Sequence, residues 1–444
     1  MLQAFKDYID RQHLFSPEQT VLLAVSGGRD SVAMADLMHR AGFRFAIAHC
    51  NFNLRPGDCD RDQAFVRQLA EDCGAVFHTV AFDTAAHAAE HGQSIEEAAR
   101  QLRYNWFAGL CAEHGYHCLA TAHHADDSIE TFFLNLFRGT GIAGLHGIRP
   151  LSTLHSPLST LHVVRPMLCF SRADIDRYVA ERGLRWVEDH TNAELDARRN
   201  RIRLRLMPLL RELYPSVDAT MLANISRLAD TEALYREHIG LLRSSLLRPY
   251  HSALPTVAVP IIGIGMAELN AHPAPATILY ELLQPYGFNG ATVTDMLRSD
   301  AGGRLFRSAT HVAELHRGML LVAPDAEPCP PRFSVTLLPE GEVPAQETLR
   351  SLPPTTLAAD ASVLHQPLTM RPWRDGDRFR PFGMKGTRLV SDFLKDSGLS
   401  LIERRHVWLL ADSNDRPLWI AGLRADERCR IGAATRQVAM VKLV

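Results

Sequence analysis

Residues 21–36, VLLAVSGGRDSVAMAD, constrain this chain more than any other stretch. Val21–Val25 are all apolar and predict a buried strand, and Val32, Ala33, Leu37 and Met38 recur at helical spacing. Between them lies Ser26-Gly27-Gly28-Arg29-Asp30-Ser31. A strand, a glycine-rich turn and a helix start form an anion site. The first amides of a helix lack internal partners, and its dipole is positive at that end. Gly27 and Gly28 let the backbone approach a phosphate without a Cβ in the way, and Ser26 and Ser31 add hydroxyl donors. Asp30 is out of place beside an anion unless a cation lies between them.

The turn has no Lys and does not fit the Walker A pattern. An ordinary turn with a capping Ser is the weaker account of two Gly, two Ser and an Asp in six residues. The pattern resembles the SGGxDS loop of the PP-loop, N-type ATP pyrophosphatases. That resemblance implies that Ser26, Gly27, Gly28, Arg29, Asp30 and Ser31 bind the pyrophosphate end of ATP. Asp30 would be the magnesium ligand and a catalytic group.

The remaining chain reads as further strands and helices in alternation. Strands are predicted at Phe43–Cys50, Ala75–Phe82, Cys118–Ala122 and His162–Met167. Helices are predicted at 31–41, Asp60–Cys73, Ile95–His114, Asp126–Arg138 and Arg172–Arg182. Alternation of this kind predicts an α/β fold with a parallel sheet and ligands at the carboxyl ends of its strands. A PP-loop domain over 1–215 is expected, then a middle α+β domain over 216–325. A small α+β domain follows over 358–444, and the Pro-rich 326–357 serves as linker or edge structure. At 444 residues, about three domains is the natural prior.

Composition excludes several classes. Hydrophobic residues make up 46% and charged residues 22%, ordinary for a globular chain. No apolar run approaches the roughly 20 residues of a membrane span, so no membrane partner is expected. The first residues carry both charge signs and no apolar core of a signal peptide. Eight Cys occur without a Cys-x-x-Cys pair, which suits a reducing cytoplasm and argues against a zinc ribbon. With a formal charge of −2, any nucleic-acid surface must be a local basic patch.

Four other stretches carry chemistry. In His123-His124-Ala125-Asp126-Asp127-Ser128-Ile129-Glu130, the acids lie three and four apart and share one helix face. They fit three roles: acids decorating a helix start, a His/Asp metal centre, or a site for a cationic substrate. The strand before them aims the cluster at the same crevice as the 26–31 turn, which favours a substrate site. In EEAARQLRY at 96–104 most charges are by default solvated helix residues, and Arg100 and Arg103 are the two that could reach phosphate. Arg198–Arg205 holds five Arg and no acid, including Arg198, Arg199, Arg203 and Arg205 around Asn200. Such a run is either a solvated face or opposes an anion such as RNA phosphate. Finally, Arg371, Arg374, Arg378 and Arg380 are interleaved with Trp373, a pattern suited to phosphate contact and base stacking. An aromatic-cored domain with a basic rim reads the same way.

Taken together, SGGRDS, AHCNFNLR at 48–55, EEAARQLRY, HHADDSIETFFLNLFRGTGIAGLHGI at 123–148, RPM at 165–167 and RNRIR at 199–203 resemble the tRNA(Ile)-lysidine synthase family over nearly the full length. The fold implied is an adenine nucleotide alpha hydrolase-like sheet domain with two smaller domains behind it. The resemblance implies a carbon–nitrogen ligase that uses ATP to adenylate the wobble cytidine of a tRNA(Ile) with a CAU anticodon. L-lysine then attacks to give lysidine, and AMP and pyrophosphate leave. It adds His49 and Arg100 to the ATP site. Asp126, Asp127 and Glu130 become catalytic and lysine-binding candidates. Arg198, Arg199, Asn200, Arg203, Arg205, Arg371, Trp373, Arg374, Arg378 and Arg380 become tRNA-binding candidates. Where family members have a second His, this chain has Phe52 or Asn53, so only His49 is carried over. Oligomeric state stays open, a homodimer among the options. Alternatives are another PP-loop tRNA-modifying or amide-forming synthetase, and a tRNA-binding protein without catalysis.

Overall fold

In the computed structural model, which describes residues 1–52, 58–155, 160–187, 198–299 and 303–444, the first strand lies inside a six-stranded sheet. Its elements are α1 (Leu2–Arg11), β1 (Val21–Ala24), α2 (Arg29–Ala41), β2 (Phe45–Asn51), α3 (Asp58–Asp72) and β3 (Val76–Ala81). Then follow α4 (Thr84–His91), α5 (Ile95–His114), β4 (Cys118–Ala120), α6 (Ala125–Arg138), β5 (Leu151–His155), β6 (Thr160–Val164) and α7 (Arg172–Arg182). The strand order is β3-β2-β1-β4-β6-β5. All pairs are parallel except β5 with β6. The parallel sheet is as expected. The antiparallel edge strand β5 and the short helix α4 are additions that the sequence reading did not include.

Both faces of the sheet are covered. Leu23 joins a core with Met34, Leu37 and Met38 of α2 and Ile175 and Val179 of α7. Its neighbour Leu22 points the other way, into a core with Phe107 and Leu110 of α5. Alternating side chains of one strand thus anchor two layers. Truncating either Leu to Ala would cost about 2–5 kcal/mol.

The chain divides into two units, Met1–Leu234 and Tyr235–Val444. The division falls within a helix at Val217–Leu246, later than the boundary at 215/216 that the sequence suggests. The reason lies in its apolar residues. Ile225 packs with Ile129, Ile202 and Met207 in the first unit. Ile239, Leu242 and Leu246 belong to a core with Leu279, Leu282 and Phe306 in the second.

The second unit is built on antiparallel sheets. One is five-stranded and runs from Arg248–Tyr250 to Leu305–Arg307. Another joins Thr369–Pro372, Trp408–Ala411, Pro417–Ile420 and Arg424–Ala425. Phe333–Leu337, within the Pro-rich 326–357, is the edge strand of a three-stranded sheet and pairs with Val438–Leu443. No helix among the described residues is long and apolar enough to cross a membrane.

Candidate functional site

β1 ends in the turn at 26–31, at the carboxyl edge of the parallel sheet. Gly27 adopts φ +92°, and a Cβ there would sit 3.3 Å from Val66 Cγ2, so both conformation and space demand glycine. Gly28 is the N-cap of α2. Its N–H donates to Ser26 Oγ (3.3 Å), and Ser31 Oγ donates to its carbonyl (2.8 Å). His49, at the end of the adjacent β2, is buried with Nδ1 2.9 Å from the Val25 carbonyl oxygen. Burial pushes its pKa down, so its ring is neutral beside the turn. Arg29 turns away from the turn. It pairs with Asp176 of α7, and its guanidinium lies 5.5 Å from the Trp186 ring.

The second motif begins where β4 ends. His124, 1% exposed, is the N-cap of α6, and its ring sits between three carboxylates. Nδ1 is 3.5 Å from Asp126, while Nε2 is 3.3 Å from Asp127 and 4.0 Å from Asp30. The glycine-rich turn and the acidic helix therefore meet on one imidazole. Burial opposes charging that ring, but the contacts with Asp126, Asp127 and Asp30 outweigh it and raise the pKa. Among the described residues no set of three or more His, Cys, Asp or Glu is placed to hold a metal. The His/Asp metal-centre alternative therefore finds no ligand set among the described residues.

Each acid of the crevice has a guanidinium partner. Arg172 Nη1 donates to Asp30 Oδ1 at 2.7 Å. Asp126 accepts from the Arg172 backbone N–H (2.8 Å) and from Arg211 Nη2 (2.7 Å). Arg203 donates to Asp127 (3.1 Å) and twice to Glu130 (2.6 and 3.0 Å). Arg199 Nη2 reaches Thr131 Oγ1 at 2.8 Å, and its Nε lies 3.6 Å from Glu130. Asp126 and Asp127 are held below the usual carboxylate range because His124 and the arginines outweigh burial. Glu130, 2% exposed, goes the other way: burial dominates and raises its pKa despite Arg203. His123 points elsewhere, with Nδ1 2.9 Å from Thr121 Oγ1, and burial brings its pKa down to about 4.

These contacts correct three sequence expectations. Arg199 and Arg203 do not form an outward basic face. They lie four apart on one side of the helical stretch 198–213 and face the acids of α6, whereas Arg198 and Arg205 are exposed. A π-helical turn at Ile202–Leu206 lies within this stretch and includes Arg203. Asp126 has both oxygens engaged, one by the Arg172 backbone N–H of α7 and one by Arg211 of the arginine helix. In the second unit, Arg371 is 7% exposed and donates to Asp377, Asp415 and the Pro372 carbonyl. Trp373 Nε1 donates to the Arg404 carbonyl and the ring is half-buried. Both make contacts that hold the domain together, and Arg371 has little surface left to present. Arg374, Arg378 and Arg380 remain exposed.

Arg100 lies on α5, which packs against the sheet face opposite α2, and its guanidinium is 4.8 Å from the Tyr104 ring. Asn53, Leu54 and Arg55 of the 48–55 motif lie outside the described residues. Sequence reasoning missed Arg172 and Arg211 as partners of the crevice acids. Arg172 offered only the signal of a basic residue opening a helix after RPM. The loop after α6 is pinned as well. Gly147, at φ +61°, leaves room for Ser128 Oγ, which accepts the Ile148 N–H at 2.9 Å.

As a chemical device the crevice offers helix-start amides and hydroxyls for a polyphosphate beside a charge-balanced set of carboxylates and guanidiniums. Asp30 is one carboxylate next to the hydroxyls of Ser26 and Ser31. That donor set fits a magnesium ion that arrives on nucleotide phosphates, since magnesium is commonly held by one or two carboxylates with the phosphates completing its shell.

Comparison with known proteins agrees with this architecture. A PP-loop domain model matches residues 2–210, a TilS substrate binding domain model residues 260–325, and a TilS substrate C-terminal domain model residues 368–441. A tRNA(Ile)-lysidine synthase of Bacteroides thetaiotaomicron is 38% identical over 98% of this chain and 98% of its own. That of Parabacteroides distasonis is 36% identical over 100% of both chains. That of Porphyromonas gingivalis strain W83 is 36% identical over 93% of this chain and 92% of its own.

Proposed function

The chain belongs to the tRNA(Ile)-lysidine synthase family, a ligase family that forms a carbon–nitrogen bond, and from that premise we propose how its residues divide the reaction. ATP lies with its phosphates over the start of α2, held by the backbone at Gly27 and Gly28 and the hydroxyls of Ser26 and Ser31. Asp30 would hold magnesium on those phosphates, where the ion would neutralise charge that develops on departing pyrophosphate. The wobble cytidine of a CAU-anticodon tRNA(Ile) leaves its stack and presents its C2 carbonyl oxygen to the α-phosphate. Oxygen attack forms the adenylate and pyrophosphate leaves. A ring carbonyl oxygen is a poor leaving group, and adenylation makes it a good one. The ε-amine of L-lysine then attacks C2, and AMP departs.

Asp127 and Glu130 receive the ammonium of lysine, in exchange for Arg203. Glu130 is suited to take the amine's proton because burial raises its pKa. His124 keeps Asp30, Asp126 and Asp127 together without competing for the substrate. The exposed Arg198, Arg205, Arg374, Arg378 and Arg380 carry tRNA phosphates, and the reaction runs in the cytoplasm. The single observation that carries this reading is the meeting of the ATP turn and the acidic helix on His124.

The test is incubation with ATP, radiolabelled lysine and tRNA transcripts bearing CAU anticodons. Label is expected in the isoleucine transcript and not in the methionine one. A folded protein that labels neither overturns the reading. Asp30→Ala is expected to abolish pyrophosphate release, and persistence of release would remove the turn from the ATP site.

A further inference from the structure

A cavity of about 450 Å³ opens beside α5, on the sheet face opposite α2. Leu154, Leu161 and Ala108 contribute its apolar lining, and Arg100, Tyr104 and the amides of Gln93, Gln101 and Asn105 its polar groups. Its size falls within the roughly 300–1,000 Å³ of small-ligand pockets. Arg100 and Arg103 lie 4.8 and 5.3 Å from the Tyr104 ring centre. Arg165 stands beside them. Its Nη1 donates to the Arg149 carbonyl and to Ser152 Oγ, but its buried Nε has no hydrogen-bond partner among the described residues. Burial lowers the Arg165 pKa, Tyr104 opposes that, and the charge of Arg100 lowers it further.

No carboxylate among the described residues forms an ion pair with Arg100, Arg103 or Arg165. Glu97, the one acid lining the cavity, uses its carboxylate to cap α5 through Ser94. Contrast this with the crevice, where every acid has its guanidinium. Cations that crowd together with an open donor and no acid call for an anion from outside. A guanidinium plane backed by an aromatic ring is a platform for a base, and side-chain amides read base edges. The cavity is adjacent to the chemistry, because His123 and His124 are consecutive. His124 faces the crevice, and His123 feels the charges of Arg103 and Arg165.

We propose that the cavity between α5 and the β5–β6 edge takes an RNA nucleotide next to the modified cytidine, its base on the Arg100–Tyr104 platform and its phosphate between Arg100 and Arg165. This rests on the functional reading above. It gives the RNA a second grip, on the α5 face of the sheet.

The test compares wild type, Arg100→Ala, Tyr104→Ala and Tyr104→Phe. Anisotropy with a labelled anticodon stem-loop gives RNA affinity at several salt concentrations, and titration calorimetry gives ATP affinity. Arg100→Ala and Tyr104→Ala are each expected to weaken RNA binding about tenfold, with ATP affinity unchanged. Arg100→Ala should also reduce the salt slope by about one phosphate. Tyr104→Phe keeps the ring and should bind RNA as wild type does, which separates platform loss from misfolding. Loss of ATP affinity in Arg100→Ala would make the cavity a nucleotide-triphosphate site and overturn the proposal. Wild-type lysine labelling with unchanged RNA affinity in both Ala variants would overturn it alone. A wild type that neither binds nor labels RNA would overturn the functional reading and this one with it.

Discussion

Two arginine-rich stretches, 198–205 and 371–380, look alike in sequence and behave differently in the fold. Both turn some guanidiniums inward and leave others exposed. Arg203 and Arg199 point at acids of the reaction crevice, Asp127 and Glu130. Arg371 points at Asp377 and Asp415, which carry no other motif. The first stretch is part of the site and the second is part of a domain core. A run of like charge does not repel itself if partners arrive from another element, and the partner's identity decides whether the pairing is functional or architectural.

The largest expected effect is at Arg203. Arg203→Ala leaves Glu130 buried without its bidentate partner and should cost about 3–5 kcal/mol in urea unfolding, with lysine labelling lost. Arg371→Ala should cost about 2–3 kcal/mol, because hydrogen bonds to charged groups are lost, yet labelling should persist at low temperature. If Arg371→Ala abolishes labelling in a folded protein, the two stretches are not distinct in the way described. Next in size is the coupling between Arg203 and Glu130. A double-mutant cycle with Glu130→Gln should show strong non-additivity, whereas Arg203 with Arg371 should be additive within about 0.5 kcal/mol.

A pH series separates the regions further. His124 has a folded pKa above its unfolded value, so its contribution is present in full below about pH 6.5. It is lost as pH rises through the elevated folded value. Asp126, Asp127 and Asp377 have depressed pKa values, and their contributions are lost as pH falls through those values. His123, neutral down to about 4, also weakens the fold as pH drops below its unfolded pKa. The acid limb therefore belongs to both regions, and a histidine-dependent alkaline decline belongs to the crevice. His124→Gln should flatten the decline of the urea midpoint as pH rises above about 6.5, and an unchanged decline would remove His124 from the charge cluster. The smallest effects are outward. Arg198→Ala, Arg205→Ala, Arg378→Ala and Arg380→Ala should each change stability by no more than about 0.5 kcal/mol. Each should weaken tRNA binding a few-fold and lower its salt slope by about one.

Local pattern carried a large part of this protein. The strand–turn–helix at 21–36, the alternation of strands and helices and the acidic start of α6 follow from hydrophobic period, glycine placement and helix-end chemistry, all set by neighbours in the chain. Motif spelling carried the family. Edge strand β5 was not legible, because an edge strand buries too little to leave a strong alternation. What only tertiary structure decided was which charge meets which. Sequence spacing placed Arg199 and Arg203 on one helix side and Asp127 and Glu130 on another. Nothing local says that these sides face each other, that Arg172 meets Asp30, or that Arg100 stands on the sheet face opposite α2. Coulomb attraction, made stronger by burial, selects those pairings only once the sheet has brought the elements within a few ångströms.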